Sequence, residues 1–155
     1  MGFILELTRA RQRIQELETQ IAPPSLVYQG DMDINEVSSI LIDKFPDAPL
    51  YLPDSYYKTC TIGDIGRFLT WDSTNKLKYT GDPGYNCDAF AWRLKGNITI
   101  PPWSEIPFFV IWTDKHALNL VIVDTGEVYF VEPQLDKIQT SLESGQGTEI
   151  RFIGG

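Results

Sequence analysis

The chain has 155 residues, 43% hydrophobic and 12% aromatic, with a formal net charge of −8. That length fits one domain with a sizeable core, and the acidic balance argues against nucleic acid as a main partner, because phosphate recognition needs a face of Lys and Arg. The two cysteines, Cys60 and Cys87, make no disulfide framework. No apolar run approaches the ~18 residues of a membrane span, so no membrane association is expected. Residues 1–22 are rich in Arg, Glu and Gln, unlike a signal peptide. These features imply synthesis in a reducing cytoplasm with both thiols free. Release by lysis or assembly into a virion remains compatible with them.

Residues 2–21 read as a helix. Phe3, Leu7, Ala10, Ile14, Leu17 and Ile21 are spaced 4, 3, 4, 3, 4. This is a heptad a/d stripe, nearly three repeats long, with Ile at two successive a positions. Such a helix either packs on its own domain or serves as an oligomerisation stalk. The second reading makes a homo-oligomer or larger assembly through residues 3–21 the expected partner. Pro23-Pro24 ends the helix, and residues 23–32 read as a linker to a domain over 33–155. Asp33 is the expected N-cap of a second helix, with Glu36 completing a capping box and Pro46 stopping it. Thr61–Thr70 reads as a short helix and Lys76–Gly84 as a loop. A third helix is expected from Asn86 or Cys87 to Lys95, with Gly96 at C′. Strands follow at Ile98–Ile100, Phe108–Trp112, His116–Asp124, Glu127–Glu132 and Glu149–Ile153, with Asp124-Thr125-Gly126 as a hairpin. Helices first and antiparallel strands after imply an α+β fold.

Three stretches concentrate reactive side chains: Tyr85–Trp92 around Cys87, His116–Asn119 with the only histidine, and Glu132-Pro133-Gln134. A cysteine at a helix N-terminus gains from the positive end of the macrodipole, which favours thiolate. An imidazole can take its proton, and a carboxylate behind the imidazole can hold the ring. A three-residue loop at 124–126 pairs Val123 with Glu127 and places His116 opposite Gln134. Glu132 then lies on the same face as His116, at a bridgeable diagonal. A two-residue loop would put Glu132 on the other face. Taken singly, each residue has a plainer reading: a buried thiol, a strand-end imidazole, a solvated carboxylate. Cys60 fits the first of these. One histidine and two distant cysteines give no zinc spacing, and no EF-hand pattern is present. Trp71, Trp92, Trp103 and Trp112 could line a groove, although aromatics are more often core.

The same three stretches, over roughly Tyr79 to Ile138, resemble the protease-like domain of the MOA-type fungal agglutinins and related phage proteins described as lectin MOA-related. The resemblance implies a papain-like fold and a calcium-dependent cysteine-peptidase activity. It implies Cys87 as nucleophile, His116 as general base, Glu132 as the orienting carboxylate and Gln134 as a positioning or oxyanion contact. It also makes Asp88 a calcium ligand, although Ala89 stands where relatives commonly carry a second acid. The β-trefoil of the fungal agglutinins has no counterpart here, so the resemblance implies no sugar binding. The resulting expectation is a papain-like cysteine hydrolase, a peptidase or amidase of phage origin acting on a peptide or protein substrate. The alternative is an oligomeric virion or tail structural protein on an inactive protease-like scaffold.

Overall fold

The computed structural model describes residues 2–155, except for the side chains of residues 2, 3, 19 and 20. Helix α1 spans Gly2–Ile21, and residues 4–18 are exposed around its whole circumference. Beyond it, the backbone is tied down at several points. The Trp103 indole donates to the Pro24 carbonyl at 2.8 Å, Arg67 donates to Ser25 O, and the Tyr28 hydroxyl donates to Pro102 O at 2.7 Å. Strand β1 (Gly30–Asp33) then pairs antiparallel with β3 (Tyr56–Thr59) in a two-stranded ribbon.

Helix α2 (Ile34–Lys44) starts where the sequence predicts. The Asp33 carboxylate accepts from the N–H groups of Asn35 and Glu36, and the Glu36 side chain accepts from Asp33 N at 2.8 Å. Two of the first-turn N–H groups, otherwise orphaned, are thereby satisfied. Helix α3 (Ile62–Trp71) carries a second capping box, between Thr61 and Asp64. Helix α4 spans Cys87–Ile98.

The main sheet has six strands in the order β2-β8-β4-β5-β6-β7. These are β2 (Leu50–Tyr51), β4 (Phe108–Thr113), β5 (Ala117–Ile122), β6 (Val128–Glu132), β7 (Lys137–Gln139) and β8 (Ile150–Gly154). Only β2 against β8 is parallel. Successive side chains alternate between faces, and each face has its own core. On one face Phe108, Val121 and Val131 pack with Ile65 and Phe68 of α3 and Leu94 and Ile98 of α4. On the other, Phe109, Leu118, Leu120, Ile122 and Phe130 pack with Val37 and Leu41 of α2 and with Tyr57 of the ribbon. β5 is buried at every position, as expected for a central strand covered on both sides. The molecule is an α+β fold in three layers.

Two expectations differ in detail. Helix α4 does not stop at Lys95: Gly96 lies inside it, exposed, and the helix continues to a buried Ile98. The intrinsic cost of an interior glycine, about 1 kcal/mol, is outweighed by burying Ile98 beside Leu94 and by the Asn97 amide donating to Asp72 at 2.6 Å. The strand expected at Ile98–Ile100 is therefore the helix end and a turn. Strands β1, β2, β3 and β7 had no sequence signal; each is four residues or fewer, too short to show a period of two.

Candidate functional site

Cys87 is the first residue of α4. Asn86 caps the helix from an extended conformation, its side chain accepting from Ala89 N at 3.5 Å. The preceding loop closes on itself through Thr80 and Tyr85, whose backbones and the Thr80 hydroxyl exchange bonds of 2.8 and 2.7 Å. The Tyr85 ring meets Phe90 edge-on at 4.6 Å. Helix α4 is pinned to the sheet by Asn119. This fully buried side chain donates to Ala91 O at 3.0 Å and to Phe109 O at 3.3 Å. Buried backbone carbonyls are expensive to leave unpaired, so the contact fixes where the N-terminus of α4 ends up.

Thr113 builds the turn that presents His116. Its hydroxyl accepts from Lys115 N and His116 N, while Thr113 N donates to His116 O at 2.8 Å. On the far side of the hairpin, Val123 N donates to Glu127 O, and the register runs Ile122–Val128 to Asn119–Val131. That is the pairing an odd loop produces, and it puts Glu132 within reach of the ring. His116 Nε2 and Glu132 Oε2 are 2.6 Å apart, with both side chains largely buried. Glu132 also accepts from Gln146 Nε2 at 3.1 Å and from Gln134 N at 3.3 Å. Gln146 in turn accepts from Gln139 Nε2 and from Glu143 N. The carboxylate itself is therefore well bonded, accepting from the ring, an amide and a backbone N–H, the condition under which a buried charge is tolerated.

Gln146 and Gln139 carried no sequence signal. Gln146 reaches Glu132 from the late loop between β7 and β8, which passes close over the Thr113 turn, and Gln139, at the end of β7, supports it from behind. The Thr113 hydroxyl donates to Gln146 O at 2.5 Å, and Gly147 follows at φ 93° where an added Cβ would collide with Thr113. Only glycine adopts that backbone against that neighbour without strain. Asp114 anchors the same loop by accepting from Thr148 N and Glu149 N, and these bonds hold its carboxyl below the usual carboxylate range.

Cys87 and His116 line one open groove of about 370 Å³, together with Asp88, Trp112, Lys115 and Arg151. Among the described residues no hydrogen bond joins the Cys87 thiol to the imidazole. Gln134 contributes its backbone N–H to the Glu132 carboxylate. Asp88 lines the groove, yet among the described residues no three acidic, histidine or cysteine side chains converge as a metal cluster would. Cys60 lies elsewhere, fully buried in the core, where burial first and the charges of Asp64 and Asp124 next push its thiol up to about 12.

The groove opens onto an aromatic surface. Phe152 stacks on Tyr51 at 5.5 Å, and Trp112 and Trp92 flank it at 5.0 and 6.3 Å. Tyr51, Trp92 and Trp112 are 63, 41 and 39% exposed, so the rings form a contiguous patch of the kind that marks an interaction site. Of the other tryptophans, Trp103 is core and Trp71 packs on Phe68.

Solved structures with the same architecture include two whose ligands are known. The fold is shared with MOA-related lectins. A PSL1a–E64 complex matches with a TM-score of 0.67 and 18% identity, over 81% of this chain and 51% of that one. Polyporus squamosus lectin, bound to the human-type influenza-binding epitope Neu5Aca2-6Galb1-4GlcNAc, matches with a TM-score of 0.63 and 17% identity, over 81% and 49%. The chain thus spans about half the length of these neighbours, and at such identities the likeness is one of fold. No family model and no curated protein matches.

These findings correct the expectation of a cysteine hydrolase. The solved chains sharing the fold are lectins, and at their identities the likeness extends to the fold and not to an activity. The physical reason the sequence misled is that a thiol, an imidazole and a carboxylate on adjoining elements have a structural use as well as a catalytic one. Here the imidazole and carboxylate tie the Thr113 turn, the end of β6 and the late loop together. Phage origin and the virion alternative find no support in the neighbours either.

Proposed function

We propose that this chain is a ligand-binding module whose seat is the aromatic patch and the groove it opens into. The observation that carries this reading is the continuity of Tyr51, Phe152 and Trp112 with Lys115 and Arg151 along one exposed face. Aromatic faces supply apolar contact at low entropic cost. The two cations supply charge-assisted bonds, worth about 1.5–3 kcal/mol each when they meet an anion. Lys115 makes no ion pair among the described residues, and Arg151 reaches Glu149 only at 3.8 Å. The fitting ligand therefore carries a carboxylate beside an apolar ring or chain face. The sialylated trisaccharide bound to Polyporus squamosus lectin has that chemistry and is the first probe to use. The scaffold is read as papain-like in ancestry, with α4 against β4 and β5, put to a binding use. Within this proposal residues 1–22 stand apart as α1, and residues 23–32 belong with the domain of 33–155 because they are bonded to it.

The test is a calorimetric and NMR titration of the whole chain with that trisaccharide and with its desialylated disaccharide. Saturable binding of the acid form is expected, with shifts confined to the Trp112 and Arg151 region. Trp112→Ala and Arg151→Ala should each weaken it by about tenfold or more. Absence of saturable binding, or binding that both variants leave unchanged, defeats the reading.

A further inference from the structure

We infer that α1 associates with α1 of a second copy as a parallel, in-register, two-stranded coiled coil. The starting observation is an apolar stripe that no described residue buries. Leu7, Ile14, Leu17 and Ile21 are 46, 55, 42 and 70% exposed, and Ile4, at an e position beside the stripe, is 71% exposed. The four aliphatic side chains of the stripe and Ile4 beside it form a surface that water disfavours at about 25 cal/mol per Å². The side chain of Phe3, first in the stripe, lies outside the described residues.

Charge decides the occupant and its direction. With Leu7, Ile14 and Ile21 at a and Ala10 and Leu17 at d, the flanking g positions hold Glu6 and Arg13 and the e positions hold Arg11 and Glu18. In a parallel pair each g residue faces the e residue five positions later on the other helix. Glu6 then meets Arg11 of the partner subunit, and Arg13 meets Glu18 of the partner subunit. Both contacts are attractive, and symmetry repeats them. In an antiparallel pair that keeps the same apolar layers, Arg11 would face Arg11 of the partner subunit and Arg13 would face Arg13 of the partner subunit. Like charges so placed are destabilising. Ile at two a positions with Leu at d favours two strands over three. Arg13 already pairs within its helix with Glu16 at 3.1 Å, both largely exposed. An exposed pair of this kind contributes little, so exchanging it for the partner's Glu18 costs little. The short stripe makes the association concentration-dependent. Two linked copies would present two binding faces, gaining avidity on a multivalent ligand.

Sedimentation equilibrium of the full chain across a concentration series tests this. The expected result is a reversible species of twice the 17.6 kDa chain mass. Ile14→Asp should raise its dissociation constant at least about tenfold. Because that variant could unwind α1, the charge variants carry the decision. Arg11→Glu with Arg13→Glu should weaken the dimer, and adding Glu6→Lys and Glu18→Lys should restore it. In a Cys87→Ser background, Leu7→Cys should cross-link to itself on oxidation. A chain monomeric at every concentration overturns the inference. So does a dimer indifferent to both charge sets, or cross-linking of Leu7→Cys to Leu17→Cys in place of itself.

Discussion

Asp136 shows how one residue's surroundings set its titration. It sits at φ 52°, accepts from Asn75 Nδ2 at 2.6 Å, and its second carboxylate oxygen is buried without a partner. Burial, and then the charge of nearby Asp72, push its carboxyl up to about 6. Against an unfolded value of about 3.9, folding disfavours the ionised form. The penalty is fully present above pH 6 and is relieved as pH falls toward 4. Asp136→Asn keeps an acceptor and tolerates the left-handed backbone. It should raise the urea midpoint above pH 6, with the gain vanishing below about pH 4. A gain that does not vary with pH would mean the titration is misassigned. His116 and Glu132 were identifiable as residue types, but whether they share a face turned on the length of the hairpin loop, which the sequence left open and the Val123–Glu127 pairing decides. Gln146 was not identifiable, because an amide arriving from a loop between strands has no periodic or spacing signature.

At the scale of elements, local sequence and tertiary contact divide the work. Helix α2 is written into its own residues: a complete capping box at one end and Pro46 beyond the other. Asp33→Ala should cost about 1 kcal/mol, read as a lower urea midpoint with an unchanged slope. A loss well above 2 kcal/mol would show that Asp33 also stabilises the β1–β3 ribbon. Helix α4 is different. Its start follows from Asn86 and the loop before it, but its end depends on Ile98 finding the core on the α3 side of the sheet. A glycine near a helix end marks the end only when the next apolar residue has nowhere to be buried.

For the whole molecule, amide exchange should rank the layers. β4 and β5 carry almost continuously buried side chains with a core on each face, so their amides should open only on global unfolding. The two-residue β2 at the sheet edge should exchange faster than either. Mass spectrometry after timed labelling checks the order; equal protection of β2 and β5 would contradict the three-layer account.

Taken alone, the sequence determined the α+β class, the capped helix starts, the antiparallel hairpin with two possible registers, and the heptad stripe. These depend on near neighbours along the chain, through side-chain period and cap chemistry. Tertiary structure decided the rest. It closed the late loop over Glu132, gathered Tyr51, Trp92, Trp112 and Phe152 from separate segments into one patch, and left the thiol in an open groove beside two cations. Such groupings are set by which distant surfaces bury one another, and no local pattern in the chain encodes that.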